Sequence, residues 1–221
     1  MTKHLLAIIP ALVLLGCGSG SGGGGSSIGF MPQSTNYWAV VVDVTPSVEL
    51  SNEADAKGNP DAGSEPGEFV GHELELAKGL RADGFKTDYF LITGTIKPET
   101  HVDRLPASTA EIGDQNKPIS DYAACLTEII DRYHDLKKDQ KVRLTIMGDF
   151  RHASGSQNYR NWAPTPAAFG GRRIDGWEVD LVYPNYPSGS DSGAQKRTDQ
   201  WKECLTQMGA SSVNTGTQPA F

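Results

Sequence analysis

Basic charge is scarce in this sequence: 20 Lys and Arg stand against 27 Asp and Glu, a formal net charge of −7. No block of Lys and Arg occurs anywhere, so the chain offers no basic face to nucleic acid or to an anionic lipid surface. Histidines at 72, 101, 134 and 152 are scattered and show no metal-binding spacing. His152, three residues after Asp149, is expected to be a solvated loop residue. The Gly-x-Ser-x-Gly match at Gly25 to Gly29 falls in a Gly/Ser-rich stretch before the first predicted strand and not at a strand-to-helix elbow, which counts against a serine hydrolase. Internal repeats are missing as well. The one long apolar run, Leu5 to Leu15, is too short to span a bilayer and reads as a secretory signal. At 221 residues the chain suits one well-buried domain plus extras.

That apolar run ends in Leu14-Leu15-Gly16-Cys17, which resembles the bacterial lipobox, where a signal peptidase cuts before a cysteine that carries lipid. The resemblance implies a signal peptide over residues 1–16 and a membrane anchor of several acyl chains on Cys17. Gly18 stands where aspartate commonly signals inner-membrane retention, so the outer membrane is favoured if the organism has one, and the cell surface otherwise. Residues 18–27, "GSGSGGGGSS", have no side chains to bury and behave as a flexible tether, so residues 17–35 form a lipidated stalk below a domain over 36–221. Cleavage removes Lys3 and makes the net charge one unit more negative. With Cys17 committed to lipid, Cys125 and Cys204 remain as a candidate disulfide pair in an oxidising compartment, with two separate buried thiols as the equal alternative.

Within 36–221, apolar β-branched runs alternate with amphipathic stretches. "NYWAVVVDV" (36–44), "KTDYFLITGTI" (86–96), "KVRLTIMGDF" (141–150) and "GWEVDLVYPN" (176–185) predict strands. "THVDRLP" (100–106) predicts a short edge strand, and the tail after Gly209 one last weak strand. Helices are predicted in "EFVGHELELAKGLRADG", stopping at Gly84, in "SDYAACLTEIIDRYHDL", capped by Ser120, and in "KRTDQWKECLTQMGA". The second has an apolar face of Tyr122, Cys125, Leu126, Ile129, Ile130 and Tyr133. Strands alternating with helices imply an α/β fold with a doubly wound, mostly parallel sheet. The loop over 48–66, rich in Asn, Gly, Pro and Asp, is long enough to suggest a functional surface or disorder.

In such sheets, sites lie outside the carboxyl ends of the strands, where strand order reverses. Asp43 and Asp149 both end predicted core strands, Thr45 and Ser47 follow Asp43 on alternate residues, and Ser120 opens a helix. Converging oxygen donors suit a divalent cation such as Mg²⁺, with Mn²⁺ or Ca²⁺ as relatives. Here the residues resemble the von Willebrand factor type A domain and its metal-ion-dependent adhesion site. Asp43-Val44-Thr45-Pro46-Ser47 is similar to the Asp-x-Ser-x-Ser motif, Ser120-Asp121 to the helix-opening threonine, and Leu144 to Asp149 to the strand that runs into an aspartate. Phe150 departs from the glycine usual after that aspartate. The resemblance implies direct metal contacts from Thr45 and Ser47, a direct or water-mediated one from Ser120, and water-mediated ones from Asp43 and Asp149. It further implies an open coordination position for a partner's acidic side chain, and so a binding module rather than a catalyst. Tyr159, Arg160, Trp162 and Tyr186, on loops at the same edge, are candidate partner contacts, with a role in the loops' own small core as the alternative. The rival readings are a metal-assisted hydrolase or phosphatase that uses Asp43 and Asp149, and a metal-free scaffold of an envelope complex. The phosphatase would need an acid where Thr45 stands.

Overall fold

The computed structural model describes residues 35–45, 68–93, 100–112, 120–136, 139–154, 157–158, 162–183 and 194–220. Ser47, Cys17, Tyr159, Arg160, Tyr186 and the 48–66 loop lie outside the described residues. Residues from Ser34 onward form a compact unit, built on a six-stranded sheet. In chain order its elements are β1 (Asn36–Asp43), α1 (Glu68–Gly79), β2 (Phe85–Ile92), β3 (His101–Val102), α2 (Tyr122–Tyr133), β4 (Val142–Met147), β5 (Ala153–Ser154), β6 (Gln157–Asn158), β7 (Glu178–Val182), α3 (Ala194–Gln207) and β8 (Ser212–Gly216). The strand order is β3-β2-β1-β4-β7-β8, with β5 and β6 forming a separate two-stranded ribbon. Every pairing in the large sheet is parallel except that of β3 with β2. The mostly parallel sheet expected from the sequence is therefore what the chain forms.

The strands earn their places by burial on both faces. Trp38, Val40 and Val42 of β1 pack on one face with Val70, Leu74 and Ala77 of α1. Ala39 and Val41 face the other side, with Ile129 of α2 and Trp201 and Leu205 of α3. All six residues assigned to the apolar face of α2 are buried. Burying a side chain of this size contributes about 1.5–3 kcal/mol, so each helix is held mainly by the face it lays on the sheet.

Several boundaries differ from the sequence reading. The first helix ends at Gly79 rather than Gly84. β4 stops at Met147, because Gly148 through Phe150 turn out of the sheet, Phe150 with φ 57°. Asp121, not Ser120, caps α2: its carboxylate accepts the Ala124 N–H at 2.9 Å. Among the described residues no helix is long and apolar enough to cross a membrane.

The cysteine pairing is corrected. Cys125 and Cys204 are free, buried thiols. Cys125 on α2 hydrogen-bonds Thr100, just before β3, whereas Cys204 on α3 donates to Met208 Sδ at 3.8 Å, close to where β8 begins. Each sulfur thus meets a partner other than its fellow. Burial pushes both thiols up to about 12.

Candidate functional site

β1 and β4 are neighbours at the centre of the sheet, in register with Val42 opposite Met147. Each runs into an aspartate that folds the chain back on itself. Asp43 Oδ1 accepts the Thr45 N–H at 2.9 Å, and Asp149 Oδ1 accepts the Arg151 N–H at 2.9 Å. These are Asx-turns, in which a carboxylate stands in for the ladder bond that the strand has just lost. The β1 turn delivers the Thr45 hydroxyl to Ser120 at the mouth of α2, 2.6 Å between oxygens. This contact explains why Ser120 does not cap its helix. Asp43, Thr45, Ser120 and Asp149 are each fully buried, so four of the five predicted metal-site residues converge; Ser47 is the one outside the described residues.

Close packing draws the two strand ends together. A Cβ on Gly148 would collide with the Tyr122 hydroxyl and stand 2.7 Å from Asp43 Cβ, so only glycine fits between them. Tyr122 donates to Asp43 Oδ2 at 2.6 Å and accepts the Phe150 N–H at 3.1 Å, which ties β1, β4 and α2 through one oxygen. Phe150 holds a left-handed backbone that costs a non-glycine residue about 1–2 kcal/mol. Its ring is buried against Tyr122 and Trp201, with centroids 5.9 and 6.4 Å away, which offsets that strain.

The electrostatics are those of two acids in one dry place. Burial first, and then the charge of Asp149, raise the Asp43 pKa to about 7, although the bonds from Tyr122 and Thr45 pull it down. Burial and the charges of Asp43 and Asp149 push the Tyr122 phenol well above its ordinary range, so it stays a donor. Arg151 Nε stands 3.8 Å from Asp149 Oδ2, and Arg197 of α3 donates to the Asp149 carbonyl at 3.0 Å. Among the described residues no three His, Cys, Asp or Glu side chains gather as a metal cluster; the candidate centre combines two carboxylates with two hydroxyls.

One neighbour differs from expectation. His152 is buried, not solvated: its ring stacks on Trp162 with centroids 3.9 Å apart, and Nδ1 lies 4.0 Å from Asp121 Oδ1. Trp162, half-buried, also meets Trp201 at 5.8 Å and packs against the core at the site's flank. Two residues that the sequence pattern does not single out also belong to the site: Tyr122, and Glu73 of α1, a buried acid whose charge helps raise Tyr122. A signal exists for Glu73, since it lies on the 70-73-77 stripe that α1 buries. For the Tyr122 hydroxyl there is none, because its partner is 79 residues away.

No model of a known protein family matches this sequence, and no curated protein matches it.

Proposed function

We propose that this chain is a lipid-anchored protein of the cell envelope whose domain over 36–221, doubly wound and similar to the von Willebrand factor type A domain, binds a protein partner through a divalent cation. The observation that carries the reading is the convergence of Asp43, Thr45, Ser120 and Asp149 at the carboxyl ends of two adjacent central strands, with the Thr45 and Ser120 hydroxyls 2.6 Å apart. Support comes also from Phe150, whose left-handed backbone is one that glycine, the family's usual residue at that place, adopts without strain.

The donor set fits such a cation. Two buried carboxylates raise each other's cost of ionising, and the remaining donors are hard hydroxyl oxygens, the preference of Mg²⁺, Mn²⁺ and Ca²⁺. Asp43, Thr45, Ser120 and Asp149 would hold it, joined by Ser47 as the resemblance implies. The bound ion would supply positive charge at the sheet's end and a position for an acidic side chain of the partner. Tyr159, Arg160, Trp162 and Tyr186 are the proposed surrounding contacts. The lipid on Cys17 and the 18–27 tether would keep the domain near its membrane, the outer one where the organism has one.

A second reading, a metal-free envelope scaffold, has its own observation: both oxygens of Asp43 already accept protein hydrogen bonds. Calorimetry with Mg²⁺ and Mn²⁺ separates the two. The metal reading expects binding in the wild type that weakens at least about tenfold in Asp149→Ala and Thr45→Ala. Unchanged binding in both variants would sink it, and no binding even with an acidic partner peptide present would favour the scaffold.

A further inference from the structure

At the other end of the sheet a cavity of about 670 Å³ opens between the last turn of α2, the start of β4 and the segment that leads into β7. Its volume falls in the range of small-molecule sites. One wall is aromatic, with Trp177 edge-on to Tyr133 and ring centroids 6.1 Å apart. Around it stand three basic side chains, Lys141, Arg172 and Arg173, against two carboxylates, Asp131 and Asp175. In a chain of net charge −7 this is a local positive excess.

The arginines are held in place. Arg172 Nε and Nη2 fork onto Asp131 at 2.6 and 2.9 Å, and Nη1 donates to the Phe169 carbonyl at 3.1 Å. Arg173 Nε and Nη2 donate to Asp175 Oδ1 at 3.2 and 2.7 Å, and Nη1 to the Gln207 carbonyl at 3.2 Å. A guanidinium has five N–H donors, so among the described residues each arginine keeps two for a ligand. The backbone has made room for both: a Cβ on Gly170 would stand 2.8 Å from Arg172 Nη1, and one on Gly209 would stand 2.9 Å from Arg173 Nη2 and closer still to Asp175 Oδ1. Asp131 and Asp175 thus orient the forks without filling them, and an oriented fork loses little freedom when it meets an oxyanion.

We propose that this cavity binds a small organic anion, whose carboxylate or phosphate is received by Arg172, Arg173 and Lys141 and whose apolar body lies against Trp177 and Tyr133. Both head groups present paired oxygens that match a guanidinium edge. The site is separate from the carboxyl-end carboxylates and does not depend on a metal there.

Phenyl phosphate and benzoate, titrated separately into the full chain with a chelator present, test this through tryptophan fluorescence. The expected result is a saturable change with Kd below about 1 mM for at least one probe. It should disappear in Trp177→Phe and weaken at least about tenfold in Arg173→Gln and in Lys141→Gln; the Lys141 variant leaves both arginine–aspartate forks intact and so controls for folding. Tighter phenyl phosphate identifies a phosphate monoester as the ligand class, and tighter benzoate a carboxylate. No saturable change with either probe, or a change that survives undiminished in both charge variants, would overturn the proposal.

Discussion

The two ends of one sheet treat negative charge in opposite ways. At the amino end, Asp131 and Asp175 are exposed, and each is met by an arginine that holds its carboxyl below the usual range. At the carboxyl end, Asp43 and Asp149 are fully buried beside one another, and Asp43 is raised to about 7 by burial and by Asp149. Stability alone would choose the reverse. Water already solvates the exposed acids, for which a partner adds little, whereas buried like charges are costly. A fold that matches its inexpensive acids and keeps its costly ones together has a reason at the carboxyl end other than holding itself up, and that is where the proposed cation would act.

The largest expected effect tests how tightly the costly end is built. Gly148→Ala would push a methyl into the Tyr122 hydroxyl and Asp43, with no flexible chain end to yield. A loss of about 3 kcal/mol or more in urea denaturation is expected, together with loss of any metal response. Gly176→Ala at the amino end meets nothing within 4 Å and asks only for a left-handed alanine, costing about 1 kcal/mol. Equal losses in the two variants would remove the packing half of the comparison.

The acids should also leave opposite signatures in pH. For Asp43 the ordinary value is 3.8 and the folded value about 7. Between these the folded chain keeps a proton that the unfolded chain has released, so stability falls as pH rises from about 4 to about 7 and levels off above. At about 1.4 kcal/mol for each pH unit between the two values, a fall of up to about 4–5 kcal/mol is expected in chelator, and Asp43→Asn should flatten it. For Asp131 and Asp175 the folded values are lowered, so their contribution is present above the ordinary pKa and lost as pH falls through the folded ones. Denaturation from pH 3 to 8 reads both limbs. A wild-type curve as flat as that of Asp43→Asn over the upper range would show that the fold does not raise Asp43.

Much of this contrast is legible in the order of the residues alone. The valine run Val40–Val42 marks a strand buried on both faces, and Asp43, Thr45, Ser120 and Asp149 announce themselves by lying at strand and helix ends, where local pattern and site position coincide. What is not legible depends on tertiary choice. Ser120 and Asp121 are both good caps, and only the Thr45 hydroxyl, 75 residues away, decides that Asp121 caps while Ser120 turns to the site. His152 reads as solvated because nothing local says that Trp162, ten residues on, will stack over it. The amino-end cavity is invisible for the same reason: Arg172 and its Asp131 are 41 residues apart.

Neutralising one exposed acid should do little. Asp175→Asn leaves Arg173 its bond to the Gln207 carbonyl and a solvated surface, so the melting temperature should move by no more than about two degrees. Asp149→Asn, by contrast, removes the second of the two causes that raise Asp43 and should make the pH slope shallower, with burial keeping the rest. A larger thermal shift from Asp175→Asn than from Asp149→Asn would invert the ranking of the two ends.

The smallest effect of all is expected from reductant, because neither end relies on a covalent tie. Cys125 and Cys204 are free and buried, and their thiols, raised to about 12, hold almost no thiolate at pH 8. Thiolate is the reactive form, so native protein should resist alkylation and label at both cysteines only once unfolded. Reductant should leave the melting temperature unchanged, whereas a bridge would make its removal cost about 2–5 kcal/mol. A clear drop on reduction would mean that α2 and α3 are cross-linked on the face that carries Tyr122 and Trp201. The closeness of Asp43 to Asp149 would then owe something to a staple, and not to Gly148 and the Tyr122 hydroxyl alone.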